Sequence, residues 1–155
     1  MTEGLQHDLE TSLEGEVRFD PITRALYSTD ASVYQIEPTG VVIVRCREDV
    51  IQTIEIARRH GVSITARGGG TSQAGQAIGH GLQLDMGKHF NRVLEVNEAE
   101  RWARIEPGIV LDELNAQLLP HRLRFAPDIS TANRATVGGM ISNNSVAVSY
   151  THLTL

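Results

Sequence analysis

Three consecutive glycines at positions 68 to 70 constrain the fold of this chain more than any other feature of its sequence. They follow residues 62–66, whose alternating apolar side chains are typical of a β-strand. Because glycine lacks a Cβ, successive N–H groups can converge into an anion-binding concavity, and a bulky ligand can approach the main chain closely. Thr71 and Ser72 add hydroxyl donors, and Arg67 adds a positive charge. The pattern favours a loop that binds a phosphate or pyrophosphate, with a tight structural turn as the alternative.

A strand–helix–strand unit leads into the glycines. Residues 41–44 form a continuous β-branched run, which is typical of a buried strand. Residues 48–60 have the pattern of a helix, with acidic residues in the first turn, basic residues in the last turn and Gly61 directly after it. With the strand at residues 62–66, this arrangement predicts a βαβ-like unit.

The rest of the chain predicts shorter elements. Leu5, Leu9 and Leu13 are spaced four apart and indicate a helix over residues 4–14, which we expect to dock weakly because it carries little else that is apolar. Residues 15–40 are expected to be irregular, with turns at the prolines. Three further strands and a helix are expected at residues 81–86, 92–96, 102–106 and 110–119.

Two well-known phosphate-binding motifs do not fit the glycine loop. A P-loop of the form GxxxxGK[ST] would place a lysine after Gly75, but Gln76 stands there, so hydrolysis of ATP or GTP is not indicated. A dinucleotide fingerprint GxGxxG that began at Gly68 would need a glycine where the chain has Gln73. The helix that follows both motifs is not evident in the sequence either.

A second polar segment, residues 127–145, has the same character as the glycine loop. Gly138 and Gly139 permit close backbone approach, and the hydroxyl and amide side chains around them can donate and accept hydrogen bonds. Embedded apolar residues indicate that the segment is partly buried, with a polar surface loop as the alternative. Because it lies about 60 residues after the glycine loop, the two segments together suggest a ligand long enough to contact both.

The overall composition argues against several classes of protein. The formal net charge of −5 disfavours generic binders of nucleic acid or anionic membranes, which need a basic surface. Cys46 is the only cysteine and the histidines show no metal-ligand spacing, so neither a disulfide within the chain nor a metal site is expected. No apolar run reaches the ~20 residues of a transmembrane helix, and no secretory signal is evident. We therefore expect a soluble, cytoplasmic protein, with peripheral association with the inner membrane through partners as the alternative.

The two glycine-containing segments resemble those of the FAD-linked oxidase family, whose flavin domain is called the PCMH type. The similar stretches read LYSTDASVYQIEPTGVV, ARGGGTSQAGQ and FAPDISTANRATVGGMISNNS. The resemblance implies an α+β fold of two subdomains with FAD between them. It divides the chain into an N-terminal helix with its lead-in, a first FAD-binding subdomain, the start of an incomplete second subdomain, and a tail, at residues 1–33, 34–96, 97–145 and 146–155.

The resemblance also implies where the cofactor lies. Residues 67–77 would hold the FAD pyrophosphate, and the polar segment would line the pyrophosphate and the flavin. Some members attach FAD covalently through a histidine in the glycine loop; Thr71 stands at that position here, so non-covalent FAD is expected. In the family the base and the substrate ligands come from a later cap domain, so no catalytic residue is expected in this chain. The implied cofactor-binding residues are Arg67, Gly68, Gly69, Gly70, Thr71, Ser72, Gln76, Ala77, Pro127, Asp128, Ser130, Thr131, Asn133, Thr136, Gly138, Gly139 and Asn143.

Within this family the chain looks most like flavoproteins that oxidise D-2-hydroxy acids such as D-lactate or glycolate. That likeness implies hydride transfer from the acid to FAD, with an electron-acceptor module or chain as a partner. An iron–sulfur cluster would lie in another region or in that partner, since one thiol cannot ligate it. Two alternatives stay open: a flavin reductase of the same fold with a nicotinamide donor, and a nucleotide-binding module without redox activity.

Residues 146–155, VAVSYTHLTL, depart from the pattern of the family. Relatives usually continue after Ser145 with a glycine-containing stretch and several hundred further residues, whereas this tail resembles translated adaptor sequence. We expect a truncated piece with a foreign tail. On its own, this piece would be inactive. A short native terminal strand is the alternative.

Overall fold

The structure, a computed structural model, describes residues 2–145, so the predicted foreign tail at 146–155 lies outside the described residues. None of the described helices is long and apolar enough to cross a lipid bilayer. In chain order the elements are α1 Thr2–Ser12, β1 Glu16–Arg18, α2 Pro21–Leu26, β2 Gly40–Ile43, α3 Arg47–His60, β3 Ile64–Arg67, β4 Leu82–Asp85, β5 Val93–Asn97, β6 Trp102–Ile105, α4 Leu111–Leu118, a 3-10 turn Leu119–His121 and α5 Val137–Ser142.

The first sheet positions the glycine loop. Its strand order is β1-β2-β4-β3, in which β2, β4 and β3 run parallel and β1 pairs antiparallel with β2 at the edge. The predicted βαβ-like unit is confirmed as β2–α3–β3, but β4 lies between its two strands. The amide of Met86, just after β4, donates to the carbonyl of Arg67 at the end of β3 at 3.1 Å. The loop therefore begins at the carboxyl edge of the parallel strands, where open sheets of this kind bind ligands.

Helix α1 packs into the core of the first sheet, so the expectation of weak docking is wrong. Leu5 and Leu9 are 1% and 0% exposed and share a hydrophobic cluster with Leu84 of β4. The side chain of Asp8 also meets that of His60 at the end of α3, with 2.8 Å between Oδ2 and Nε2. Two fully buried leucines give the helix its docking face although the rest of its surface is polar.

Residues 15–40 contain two regular elements, so the expectation of an irregular segment is also wrong. β1 is three residues long and is held by its pairing with β2, a tertiary contact that leaves no local pattern. α2 begins after Asp20, whose Oδ1 accepts a hydrogen bond from the Thr23 amide at 2.9 Å, and Pro21 takes its first position. The aspartate–proline pair that indicated a turn is the start of a helix.

A second, smaller unit follows the first sheet. β5 and β6 pair as an antiparallel hairpin. A cluster that contains Ile109, Leu114, Leu118 and Val137 joins this hairpin to α4 and α5. Helices and two separate sheets make up the described residues, and the predicted α+β class is confirmed. The subdomain boundaries after residues 33 and 96 stay predictions.

The polar segment is partly buried and contains α5, a helix that the sequence did not predict. The Val137 amide donates to the Ile109 carbonyl at 2.9 Å, and the Gly138 amide donates to the Pro107 carbonyl at 2.8 Å. Thr136 caps the helix, since its hydroxyl oxygen accepts from the Gly139 amide at 3.4 Å. The two glycines that masked the helix in the sequence lie in its first turn, close to the end of β6.

Candidate functional site

A cleft of about 970 Å³ opens between the glycine loop and the polar segment. The loop forms the connection from β3 to β4, which contains no helix, and the polar segment reaches the cleft through α5 and the residues that flank it. The two segments singled out in the sequence therefore lie together. The cleft is lined by Ala66, Arg67, Gly68, Gly69, Gly70, Thr71, Ser72, Gln73, Gln76, Ala77, Met86, Pro107, Ile129, Ser130, Thr131, Ala135, Thr136, Gly138, Gly139, Met140, Ser142, Asn143, Asn144 and Ser145.

The glycine loop presents a run of free backbone donors. The amides of residues 68–73 donate to no acceptor within residues 2–145. Gly70 has a φ of +64°, a left-handed conformation that favours glycine. Ser72 closes the end of the loop, because its hydroxyl oxygen accepts from the Gln76 amide at 3.2 Å. None of residues 68–73 is buried, so these amides are open to a ligand in the cleft. A run of neighbouring main-chain donors at a cleft fits an anionic ligand such as a pyrophosphate.

At Gly68 and Gly69, other residues of the protein lie close to the main chain of the loop. A Cβ on Gly68 would overlap the side chain of Thr136, and a Cβ on Gly69 would overlap the carbonyl oxygen of Arg134. Gly138 is crowded in the same way by Pro107. The space on the Cβ side of Gly68 and Gly69 is therefore taken by the opposite wall, although both glycines line the cleft. Close approach of a bulky ligand to the main chain here stays a prediction. The missing side chains let the two walls of the cleft meet.

The structure brings most of the predicted cofactor-binding residues to one cleft. All of them line it except Pro127, Asp128 and Asn133. The two walls are also joined by a hydrogen bond from Gln76 Nε2 to Asn143 Oδ1 at 2.9 Å.

Sequence reasoning missed lining residues that lie outside the two segments. Met86 follows β4 and Pro107 follows β6 closely. Met86 could have been found from the rule that neighbouring parallel strands deliver their next residues to the same edge. Met140 and Ile129 lie inside the polar segment, where apolar residues indicate burial but do not by themselves predict contact with the cleft.

The cleft is suited to binding rather than to acid–base chemistry. Among its described lining residues only Arg67 carries a formal charge, and none is histidine, cysteine, aspartate, glutamate or lysine. Polar donors lie on the loop, while Met86, Ile129 and Met140 offer apolar surface. Such a cleft can hold a long ligand with an anionic part and a less polar part, so reactive chemistry here would have to come with the ligand.

A charged pair supports the wall of the cleft near Pro107. Glu106 is 7% exposed, and its carboxylate accepts from Arg92 Nη2 at 2.7 Å and from the Arg92 amide at 2.9 Å. These hydrogen bonds hold the pKa of the Glu106 carboxyl below its ordinary value of about 4.5. A carboxylate with a lowered pKa stabilises the fold above its ordinary pKa, and this contribution is lost as the pH falls.

We predict that Glu106→Gln lowers the free energy of unfolding by about 1 kcal/mol at pH 7, because the paired charge is lost while the shape is kept. The difference from the wild type should shrink as the pH falls below about 4.5. Urea unfolding at several pH values measures this. Glu95→Gln is the matched control, since Glu95 pairs with Arg104 but both side chains are exposed. A Glu106→Gln effect of equal size at pH 7 and pH 3 would contradict the prediction.

Comparison with known proteins supports a shared domain. The chain is 42% identical over 138 residues to D-2-hydroxyglutarate dehydrogenase of Pseudomonas putida, covering 87% of this chain and 14% of that protein. It is 33% identical over 125 residues to the glycolate oxidase subunit GlcD of Bacillus subtilis, covering 79% of this chain and 26% of that protein. A solved structure of alkyldihydroxyacetonephosphate synthase shares the fold, with a TM-score of 0.86 at 21% identity over 97% of this chain and 30% of that chain. The chain thus spans less than a third of each of these proteins.

A family model described as an FAD binding domain matches residues 38–153, which is most of the chain. The match includes the glycine loop and the polar segment, whose cleft and free amides fit a cofactor with a pyrophosphate. The resemblance found in the sequence and the prediction of FAD as the cofactor are both confirmed by this match. The chain belongs to the FAD-binding domain family.

Proposed function

We propose that this chain is the FAD-binding part of a flavin-dependent dehydrogenase that oxidises a D-2-hydroxy acid. The observation that carries the binding role is the run of free amides at residues 68–73 on one wall of the cleft. The substrate class is supported by the names of two relatives, a D-2-hydroxyglutarate dehydrogenase and a glycolate oxidase subunit. D-2-hydroxyglutarate is the first acid to test, because the D-2-hydroxyglutarate dehydrogenase is more similar to this chain than the glycolate oxidase subunit is.

The residues of the cleft have distinct tasks in this proposal. The amides of residues 68–73 and the hydroxyl of Thr71 receive the pyrophosphate oxygens of FAD. Thr131 and Asn143 on the opposite wall offer hydroxyl and amide groups to the more distant parts of the cofactor. Bound FAD supplies the capacity to accept a hydride from the carbon that bears the substrate hydroxyl. The chain's own contribution is to bind, orient and enclose the cofactor.

The cofactor is held without a covalent bond in this proposal. Thr71 stands where some members of the family have the histidine that attaches FAD, and no described lining residue of the cleft is histidine or cysteine. The catalytic base, the substrate ligands and the electron acceptor belong to other parts of the protein or to partner chains. An iron–sulfur acceptor would need cysteines beyond Cys46.

The test uses the full-length protein that carries this sequence. It should be yellow as purified, release FAD on mild denaturation, and lose its visible flavin absorbance when D-2-hydroxyglutarate is added without oxygen. D-Lactate, glycolate and reduced nicotinamide are added in parallel. Bleaching by reduced nicotinamide alone would replace the proposal with a flavin reductase, and a colourless protein that binds no FAD would favour a nucleotide-binding module.

A further inference from the structure

The segment of residues 27–31 lies against the glycine loop although it precedes the part of the chain that the family model matches. The Ala31 amide donates to the carbonyl of Gly70 at 3.1 Å. At the end of the loop, the Ala77 amide donates to Oδ2 of Asp30 at 3.3 Å. The third glycine and the last residue of the loop are therefore bonded to two neighbouring residues of the lead-in.

The side chain of Arg67 joins the same segment to the same loop. Its Nη1 donates to the Ala77 carbonyl at 2.9 Å, and its Nη2 donates to the Thr29 carbonyl at 2.8 Å. The guanidinium carbon lies 5.2 Å from the centre of the Tyr27 ring. A Cβ on Gly70 would lie only 2.7 Å from Nη2, so the guanidinium occupies the space directly beside that glycine.

The aromatic partner of Arg67 is itself fixed. The Tyr27 hydroxyl donates to Oδ2 of Asp85, at the end of β4, at 2.5 Å. Burial and the neighbouring carboxylate raise the pKa of this hydroxyl, so it stays a donor across the physiological range. The contact joins the lead-in to the carboxyl edge of the sheet on which the loop stands.

We propose that Arg67 is a positioning residue, which with residues 27–31 clamps the glycine loop in the shape that receives the cofactor. The clamp consists of Arg67, Tyr27, Thr29, Asp30 and Ala31. Its role rests on the proposed binding of FAD at residues 68–73. Two of the three guanidinium nitrogens are committed to main-chain carbonyls, so Arg67 acts by holding the backbone and not as the counter-ion of the pyrophosphate. A loop held in its binding shape loses less conformational freedom when the ligand arrives.

If Arg67 positions the loop, removal of the Asp30 carboxylate should weaken FAD binding, whereas if Arg67 is a counter-ion of the pyrophosphate, the same removal should strengthen it. A negative charge beside an anion site weakens binding, so if charge alone mattered, removal of the Asp30 carboxylate would strengthen it. In the clamp, the same removal frees the Ala77 amide and loosens the loop, so binding weakens. Arg67→Lys separates the roles in a second way, because lysine keeps the charge but lacks the planar fork that can reach two carbonyls.

The first test needs no FAD. Hydrogen exchange is measured on the flavin-free, full-length protein for the wild type, Arg67→Met and Arg67→Lys. Both variants should exchange the amides of Ala31 and Ala77 about tenfold faster, as expected when one or two hydrogen bonds that hold a segment are lost. Arg58→Met is the control, since Arg58 is an exposed residue of α3 and the variant changes the net charge equally. Unchanged exchange in both Arg67 variants would overturn the clamp, whether or not the protein binds FAD.

The second test measures the dissociation constant for FAD at low and high salt. Arg67→Met, Arg67→Lys and Asp30→Ala should each weaken binding about tenfold or more, with the salt dependence of the wild type, because no ion pair with the ligand is lost. Wild-type affinity in Arg67→Lys, a smaller salt dependence in Arg67→Met and tighter binding in Asp30→Ala would make Arg67 a counter-ion and overturn the proposal. A wild type that binds no FAD would refute the proposed function, while the exchange result would still decide the clamp.

Discussion

Replacement of Gly69 with alanine is expected to lower the FAD content of the full-length protein. The added Cβ would overlap the main-chain carbonyl oxygen of Arg134, which lies next to the buried Ala135 and cannot turn away like a flexible side chain. The glycine loop and the polar segment would have to separate, so both walls of the cleft would move. Overpacking of this kind costs about 1–3 kcal/mol, which corresponds to roughly a tenfold to hundredfold loss of affinity.

The ratio of flavin to protein absorbance after purification measures this loss, and the unfolding temperature shows whether the fold survives. Gly87→Ala is the matched control, because its Cβ would lie 3.4 Å from Oδ1 of Asp85, an ordinary contact, and Gly87 does not line the cleft. Gly69→Asp should lose more FAD than Gly69→Ala, since it adds a negative charge near the pyrophosphate site. Full flavin content in Gly69→Ala would show that the two walls can separate without loss of the site.

The residues of the cleft explain how an acidic chain can hold an anionic cofactor. The formal net charge is −5, and Arg67, the single charged lining residue among those that the structure describes, bonds to main-chain carbonyls. The amides of residues 68–73 are donors that have no acceptor within residues 2–145. Fixed main-chain dipoles can therefore replace a basic surface, and because they carry no net charge they attract anions only at short range. Binding of a pyrophosphate is therefore compatible with the overall acidic composition.

Local patterns predicted the frame of the site. The β-branched run of β2, the capped helix α3 and the glycines after β3 are strong signals, because backbone sterics and burial act within a few residues. The resemblance placed the polar segment in the same site, and the structure brings its residues Thr131, Thr136 and Asn143 to the cleft.

Several of the misses share a physical cause, which is that contacts between distant residues decide them. Helix α2 differs, because Asp20 caps it locally and the same residues also fit a turn. β1 is held as a strand by its antiparallel pairing with β2. Met86 lines the cleft because β4, which it follows, pairs with β3. One hydrogen bond of Arg67 goes to the carbonyl of Thr29, a residue that a motif read within the loop cannot include. The close packing of Gly68 on Thr136 likewise joins positions far apart in sequence.

The packing of α1 gives the second large effect. Leu9→Ala should destabilise the protein by about 2–5 kcal/mol, because Leu9 is 0% exposed and its removal leaves a cavity in the core of the first sheet. Leu26→Ala is the matched control, since Leu26 is 68% exposed and the same truncation there should change stability by less than about 0.5 kcal/mol.

The measurement is the urea midpoint of the full-length protein, with the rise in flavin fluorescence on release of FAD as the signal. The sheet that Leu9 supports also carries the glycine loop, so release should come at clearly lower urea in Leu9→Ala, while the flavin content in the absence of urea stays unchanged because α1 does not line the cleft. Equal midpoints for Leu9→Ala and Leu26→Ala would mean that α1 docks weakly, as its sparse apolar pattern alone predicts. A lower midpoint in Leu9→Ala alone would make the N-terminal helix part of the support of the cofactor site, although it lies outside residues 38–153 that the family model matches.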